Sequence, residues 1–139
     1  MVALTTAANA TAGAYSLILT ATGGNVTETI PLSVSVTALA SFTLHSTLGS
    51  FNLPAGGIAS TQISLTPSYG FKSMVALSIG TLPPGVIVSF QPPSIGGSGG
   101  HANMTVQTTT SVTPGNYTIT VTGTGGNVTG ALSIALNIS

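Results

Sequence analysis

Thr22-Gly23-Gly24-Asn25-Val26-Thr27 and Thr124-Gly125-Gly126-Asn127-Val128-Thr129 are one six-residue phrase written twice, 102 positions apart. Working outward, the match extends in both directions at the same offset. Upstream, Thr11-Ala12-Gly13-Ala14-Tyr15-Ser16-Leu17 falls opposite Thr113-Pro114-Gly115-Asn116-Tyr117-Thr118-Ile119, and Val2 and Leu4 fall opposite Met104 and Val106. Downstream, Ile30, Leu32, Val34 and Val36 fall opposite Leu132, Ile134, Leu136 and Ile138. A fixed-period repeat sets the architecture before any local propensity is considered. Residues 38–139 make one complete module, and residues 1–37 correspond to the last third of a preceding one.

Within the complete repeat, apolar and polar residues alternate with period two, the signature of half-buried strands. The clearest runs are Thr61–Leu65, Val75–Ile79, Val86–Phe90, Tyr117–Val121 and Leu132–Leu136, with Phe42/Leu44 and Met104/Val106 as shorter pieces. Between them stand Pro54-Ala55-Gly56-Gly57, Pro83-Pro84-Gly85, Pro92-Pro93 and Gly96-Gly97-Ser98-Gly99-Gly100, the residue types that turns require. Gly125-Gly126-Asn127 closes the last hairpin. No segment carries a 3.6-residue apolar period. About seven short strands with regular turns predict an all-β, two-sheet antiparallel sandwich.

The phrases Leu82-Pro83-Pro84-Gly85-Val86 with Ser89-Phe90, and Thr113-Pro114-Gly115-Asn116-Tyr117-Thr118-Ile119-Thr120-Val121-Thr122, resemble the tandem immunoglobulin-like repeats of bacterial and archaeal surface proteins. The resemblance covers residues 41–139 and part of 1–37. It implies an immunoglobulin-like scaffold and specifies no ligand. Tyr117, at the start of a late strand, is placed to act as a tyrosine-corner anchor, although the cysteines and buried tryptophan of antibody domains are missing.

Charge excludes several functions. The 139 residues include one Lys+Arg and one Asp+Glu, namely Lys72 and Glu28, where soluble domains typically carry about 25% charged residues. One lysine cannot neutralise a phosphate backbone, so no nucleic-acid partner is expected. The apolar stretches are interrupted by Thr, Ser, Gly or Pro every few positions, so no membrane span of about 20 apolar residues is expected. Cysteine is absent, which removes disulfides and thiol chemistry. Hydrophobic content of 42% with mean hydropathy +0.59 nevertheless predicts a packed core. The start, Val2-Ala3-Leu4-Thr5-Thr6, lacks the basic and apolar regions of a signal peptide.

Six of the seven asparagines, Asn9, Asn25, Asn103, Asn116, Asn127 and Asn137, stand in Asn-X-Ser/Thr with X not proline; Asn52 does not. Ser and Thr supply 40 of 139 residues, so composition alone gives about two matches in seven. These six are candidate N-glycosylation sites. Covalent N-linked glycans would supply the solvation that charges do not, and would place the protein outside the cell or on its surface. Such density in a prokaryote points to an archaeon.

Catalysis has little to work with. Carboxylate acid–base chemistry needs a second group beside Glu28, and His45 and His101 have no Asp or Cys to complete a triad or a metal site. The Gly96–Gly100 run lacks the Lys-Ser/Thr of a phosphate loop and reads as a flexible strand connection. Lys72 reads as an exposed loop residue or one half of an inter-module ion pair. No catalytic, metal or cofactor site is expected.

Three strands from the end of a sandwich expose an apolar face and unpaired edges. Residues 1–37 therefore require strands from elsewhere, either preceding covalently in a tandem chain or supplied by another subunit through strand complementation. Leu17, Leu19, Leu32 and Val34 are the candidate self-assembly residues. The expected function is a structural subunit of a pilus-like extracellular filament or cell-surface stalk, joined head to tail, with other copies or repeats as partners. The alternative is an adhesin or carbohydrate-binding module, for which Tyr69 and Phe71, sharing a loop, are the best candidates.

Overall fold

The computed structural model describes residues 3–7 and 10–139. It divides into two compact units, Met1–Leu39 and Ala40–Ser139. All regular structure is β: β1 (Gly13–Gly23) and β2 (Val26–Val36) in the first unit, then β3 (Ser41–Ser46), β4 (Ser50–Leu53), β5 (Ile58–Ser68), β6 (Val75–Ile79), β7 (Val86–Gln91), β8 (Ser94–Ile95), β9 (Gly100–Thr108), β10 (Gly115–Gly125) and β11 (Val128–Ile138) in the second.

The second unit is a sandwich of two sheets, one ordered β3-β5-β9-β7 and the other β4-β11-β10-β6-β8. Four antiparallel strands facing a sheet built on β11, β10 and β6 reproduce the four-plus-three division of an immunoglobulin-like sandwich. Every alternating run named above lies in a strand, with its alternate apolar members inward; Ile87, between Val86 and Val88, is exposed. Ile63, Val75, Ala102, Met104, Val106, Ile119, Val121 and Ile134 are fully buried. Two strands escape a period-two reading. In β4 only Asn52 separates Phe51 from Leu53, and the strand pairs parallel to β11. With two residues, β8 is shorter than any pattern, and Ile95 alone reaches the core.

The Gly96–Gly100 run is a close-packed turn where a flexible connection was expected. Gly99 N–H donates to the Gly96 carbonyl at 3.1 Å. A Cβ on Gly97 would lie 2.0 Å from the Ser73 carbonyl oxygen, so backbone meets backbone there and only glycine fits. The buried polar side chains, Thr61 and Thr108, are satisfied locally: the Thr108 hydroxyl donates to the Pro54 carbonyl at 2.8 Å and accepts from Gly57 N–H at 2.9 Å.

In the first unit, β1 and β2 pair antiparallel from Gly13↔Val36 to Gly23↔Val26. In the second, β10 and β11 pair from Gly115↔Ile138 to Gly125↔Val128. The two hairpins have the same length and the same register at the repeat offset. Both turn through a two-residue Gly-Asn loop with positive φ at the glycine, 62° at Gly24 and 58° at Gly126, and not at the asparagine, the pattern of a II′ turn. Both carry the same anchor: the Tyr15 hydroxyl donates to the Thr11 carbonyl at 2.8 Å, and that of Tyr117 to the Thr113 carbonyl at 3.0 Å.

Candidate functional site: an uncovered hairpin face

One hairpin is covered and the other is not. On β10–β11 the inward row is Tyr117, Ile119, Val121, Gly123 and Gly125 opposite Leu136, Ile134, Leu132, Gly130 and Val128. There β6 pairs with β10, β4 pairs with β11, and the sheet of β3, β5, β9 and β7 lies across the face. On β1–β2 the same row is Tyr15, Leu17, Leu19, Ala21 and Gly23 opposite Val34, Leu32, Ile30, Glu28 and Val26. Leu17, Leu19 and Leu32 are 41%, 46% and 44% exposed, whereas their counterparts Ile119, Val121 and Ile134 are all at 0%.

Leu17, Leu19, Leu32 and Val34 thus share one face of one hairpin, as strand alternation requires. Burial of these four side chains against other apolar groups would be favourable. Among the described residues no further strand pairs along the hairpin's lateral edges, and such edges are a template for added strands. Ala21 and Glu28, cross-strand partners on this same face, were missed in the sequence because no large apolar residue marks those positions. Counting by twos from Ile30 would have placed Glu28 among the inward residues.

The candidate glycosylation residues lie elsewhere. Asn25 and Asn127 sit exposed at the two hairpin turns, and Asn103 is exposed on β9. Asn116 and Asn137 are exposed cross-strand partners, with Asn137 Nδ2 donating to Asn116 Oδ1 at 2.7 Å. Asn9 lies outside the described residues.

The remaining polar candidates do not converge. His45 and His101 are exposed and flank Ser64 in register across β3, β5 and β9. The His45 ring pairs with the Thr43 hydroxyl at 3.1 Å. Among the described residues no three His, Cys, Asp or Glu side chains gather as a metal site, and no helix is long and apolar enough to cross a membrane. Lys72 is exposed. The proposed aromatic pair separates: Tyr69 is exposed, but Phe71 is buried with its ring 5.0 Å from that of Phe42, so the loop offers one aromatic, not two.

Scarcity of charge has a measurable consequence. Acid unfolding requires the unfolded chain to bind more protons than the folded one, chiefly at carboxylates, and the only acidic side chain, Glu28, is exposed. Thermal midpoints at pH 7 and pH 2 are expected to agree within a few degrees. A larger drop at pH 2 would refute this.

No family model matches the chain, and no curated protein does. Among solved structures, domains 4 and 5 of the S-layer protein SbsC align at 22% identity and TM-score 0.51, over 91% of this chain and 58% of that one. A longer span of the same S-layer protein aligns at 23% identity and TM-score 0.50, over 93% of this chain and 17% of that one. A family 123 glycoside hydrolase from Clostridium perfringens aligns at 11% identity and TM-score 0.53, over 73% of this chain and 27% of that one. The chain therefore spans less than two thirds of each of these structures. Similarity at this level reports the shared β-sandwich fold, and scaffolds of this kind host unrelated functions.

Proposed function

We propose that this chain is a non-catalytic structural repeat of an N-glycosylated extracellular or cell-surface assembly, in which the β1–β2 hairpin is the closing hairpin of one sandwich and Ala40–Ser139 is the next. The observation that carries the proposal is the identity of register between β1–β2 and β10–β11, with only the second hairpin covered. Strands supplied by a covalently preceding segment or by a neighbouring subunit complete the first sandwich, and repetition of that joint makes a linear stalk or filament. Glycans at Asn9, Asn25, Asn103, Asn116, Asn127 and Asn137 solvate a surface with almost no charge. The S-layer likeness agrees with a surface role but contributes the fold alone. No cofactor enters this function.

Negative-stain microscopy of native surface material decides it, with chains carrying Leu17→Lys and Leu32→Lys as the comparison. Fibres or sheets containing the native chain, and loss of the variant from them, are expected. Soluble single particles containing both chains equally would overturn the proposal.

The Asn116–Asn137 pair makes a finer prediction. Residues directly opposite on adjacent strands have Cβ atoms about 5 Å apart, too close for two branched glycans, and the attachment nitrogen of Asn137 is already engaged. Mass spectrometry of a C-terminal fragment spanning both sequons is expected to find none or one glycan per molecule. Abundant doubly glycosylated fragment would disprove the exclusion.

A further inference from the structure

Phe42 lies across the sandwich directly on two cross-strand glycines of the closing hairpin. A Cβ on Gly130 would lie 2.9 Å from Phe42 Cε2, and one on Gly123 would lie 2.8 Å from Val75 Cγ1, 3.0 Å from Leu44 Cδ1 and 3.3 Å from Phe42 Cε2. Contacts under about 3 Å mean that something must move, and a buried phenyl ring wedged between sheets has nowhere cheap to go. In the β1–β2 hairpin these two positions hold Ala21 and Glu28. At Gly123 the atoms nearest such a Cβ are those of Val75 on β6 and Leu44 on β3, ahead of the ring, whereas at Gly130 all three belong to the ring. Whatever covers the first hairpin must therefore leave room for the Glu28 side chain where β3 of this chain inserts a ring. It must also receive a carboxylate, because an ionised carboxylate buried without a partner is among the most costly arrangements in a protein.

Resting on the reading of β1–β2 as a closing hairpin, we infer that its cover is a related but non-identical strand set, not a second copy of residues 40–112. At the Phe42 position that cover presents a basic side chain, whose thin stem leaves room for the Glu28 side chain and whose head pairs with its carboxylate. The joint between modules is therefore keyed: Gly130 accepts the phenyl ring, Glu28 accepts the cation. Negative selection by steric clash and positive selection by charge together give order to otherwise similar repeats.

The key can be moved into the covered hairpin of the full chain, where the environment is known. The nearest atoms to Gly123 and Gly130 belong to Phe42, Leu44 and Val75, none of them titratable. Gly130→Glu sets the carboxylate of the first hairpin against Phe42, and is expected to lower the thermal midpoint by more than about 10 °C or to prevent folding, from overpacking and an unpaired carboxylate. Adding Phe42→Arg to it is expected to restore a cooperative transition at pH 7. Phe42→Met, which opens space without a charge, is expected to restore less. The advantage of Arg over Met is expected to shrink at pH 3, below the ordinary glutamate range of about 4.3. A loss smaller than about 10 °C in the Gly130→Glu variant would mean that a second copy's strands accept the first hairpin. Arg no better than Met at pH 7 would mean that no cation is called for. Either result overturns the inference while leaving the structural-repeat proposal to its own test by microscopy.

Discussion

Ile134→Ala is expected to destabilise the Ala40–Ser139 sandwich by about 3 kcal/mol, whereas Leu32→Ala, the same position in the other copy of the repeat, is expected to change its unfolding by less than about 0.5 kcal/mol. The two residues share a strand position, a cross-strand neighbour type and a hairpin register: Ile134 lies opposite Ile119, and Leu32 opposite Leu17. They differ in cover. Ile134 is fully buried beneath the facing sheet, so truncation removes its transfer free energy and leaves a cavity. Leu32 already meets water, and truncation removes little. In urea melts, the Ile134 variant should shift its midpoint at unchanged slope, while the Leu32 variant overlays the native curve. In assembled material the asymmetry should disappear, with Leu32→Ala weakening the joint by an amount comparable to Ile134→Ala in the sandwich. Equal effects of the two substitutions in the free chain would show that the first hairpin is covered after all.

Phe42→Ala is expected to cost more, about 4 kcal/mol, enough to leave a sandwich of this size marginal. The ring caps one end of the core. It rests on the backbone of β10 and β11 at Gly123 and Gly130 and meets Phe71 at 5.0 Å with the planes inclined by 50°, an aromatic geometry worth something beyond burial. Three contacts are lost together, and the glycines that accommodate the ring cannot move in to fill the space. Tyr69→Ala, by contrast, removes an exposed ring and should fall within about 0.5 kcal/mol of native. Thermal melts of both variants check the pair of statements. A Phe42→Ala loss below about 1.5 kcal/mol would mean that the ring is not the wedge described above.

Legibility in the sequence followed the length and regularity of each element. The 11-residue strands β1, β2, β10 and β11 announced themselves through alternation, and their turns through the repeated Gly-Gly-Asn phrase. β4 and β8 did not, because a single Phe51–Leu53 pair or a lone Ile95 has no period to detect; their strand character comes from edges already formed by β11 and β6. Phe71 was grouped with Tyr69 because neighbours in a loop look alike in one dimension. In three dimensions, positive φ at Tyr69 and Gly70 turns the chain so that one ring points to solvent and the next into the core.

The candidate site divides along the same line. Leu17, Leu19, Leu32 and Val34 could be grouped from sequence because a period of two places them on one face, whatever covers it. The significance of Ala21 and Glu28 could not, since it lies in the 2.9 Å that would separate a Cβ on Gly130 from a ring on another sheet. The repeat, its offset, the strand faces and the near absence of charge were legible before any folding, all being properties of neighbouring residues or of composition. Which hairpin is buried and which glycines are required could not be read in one dimension, because those depend on contacts between strands far apart in the chain.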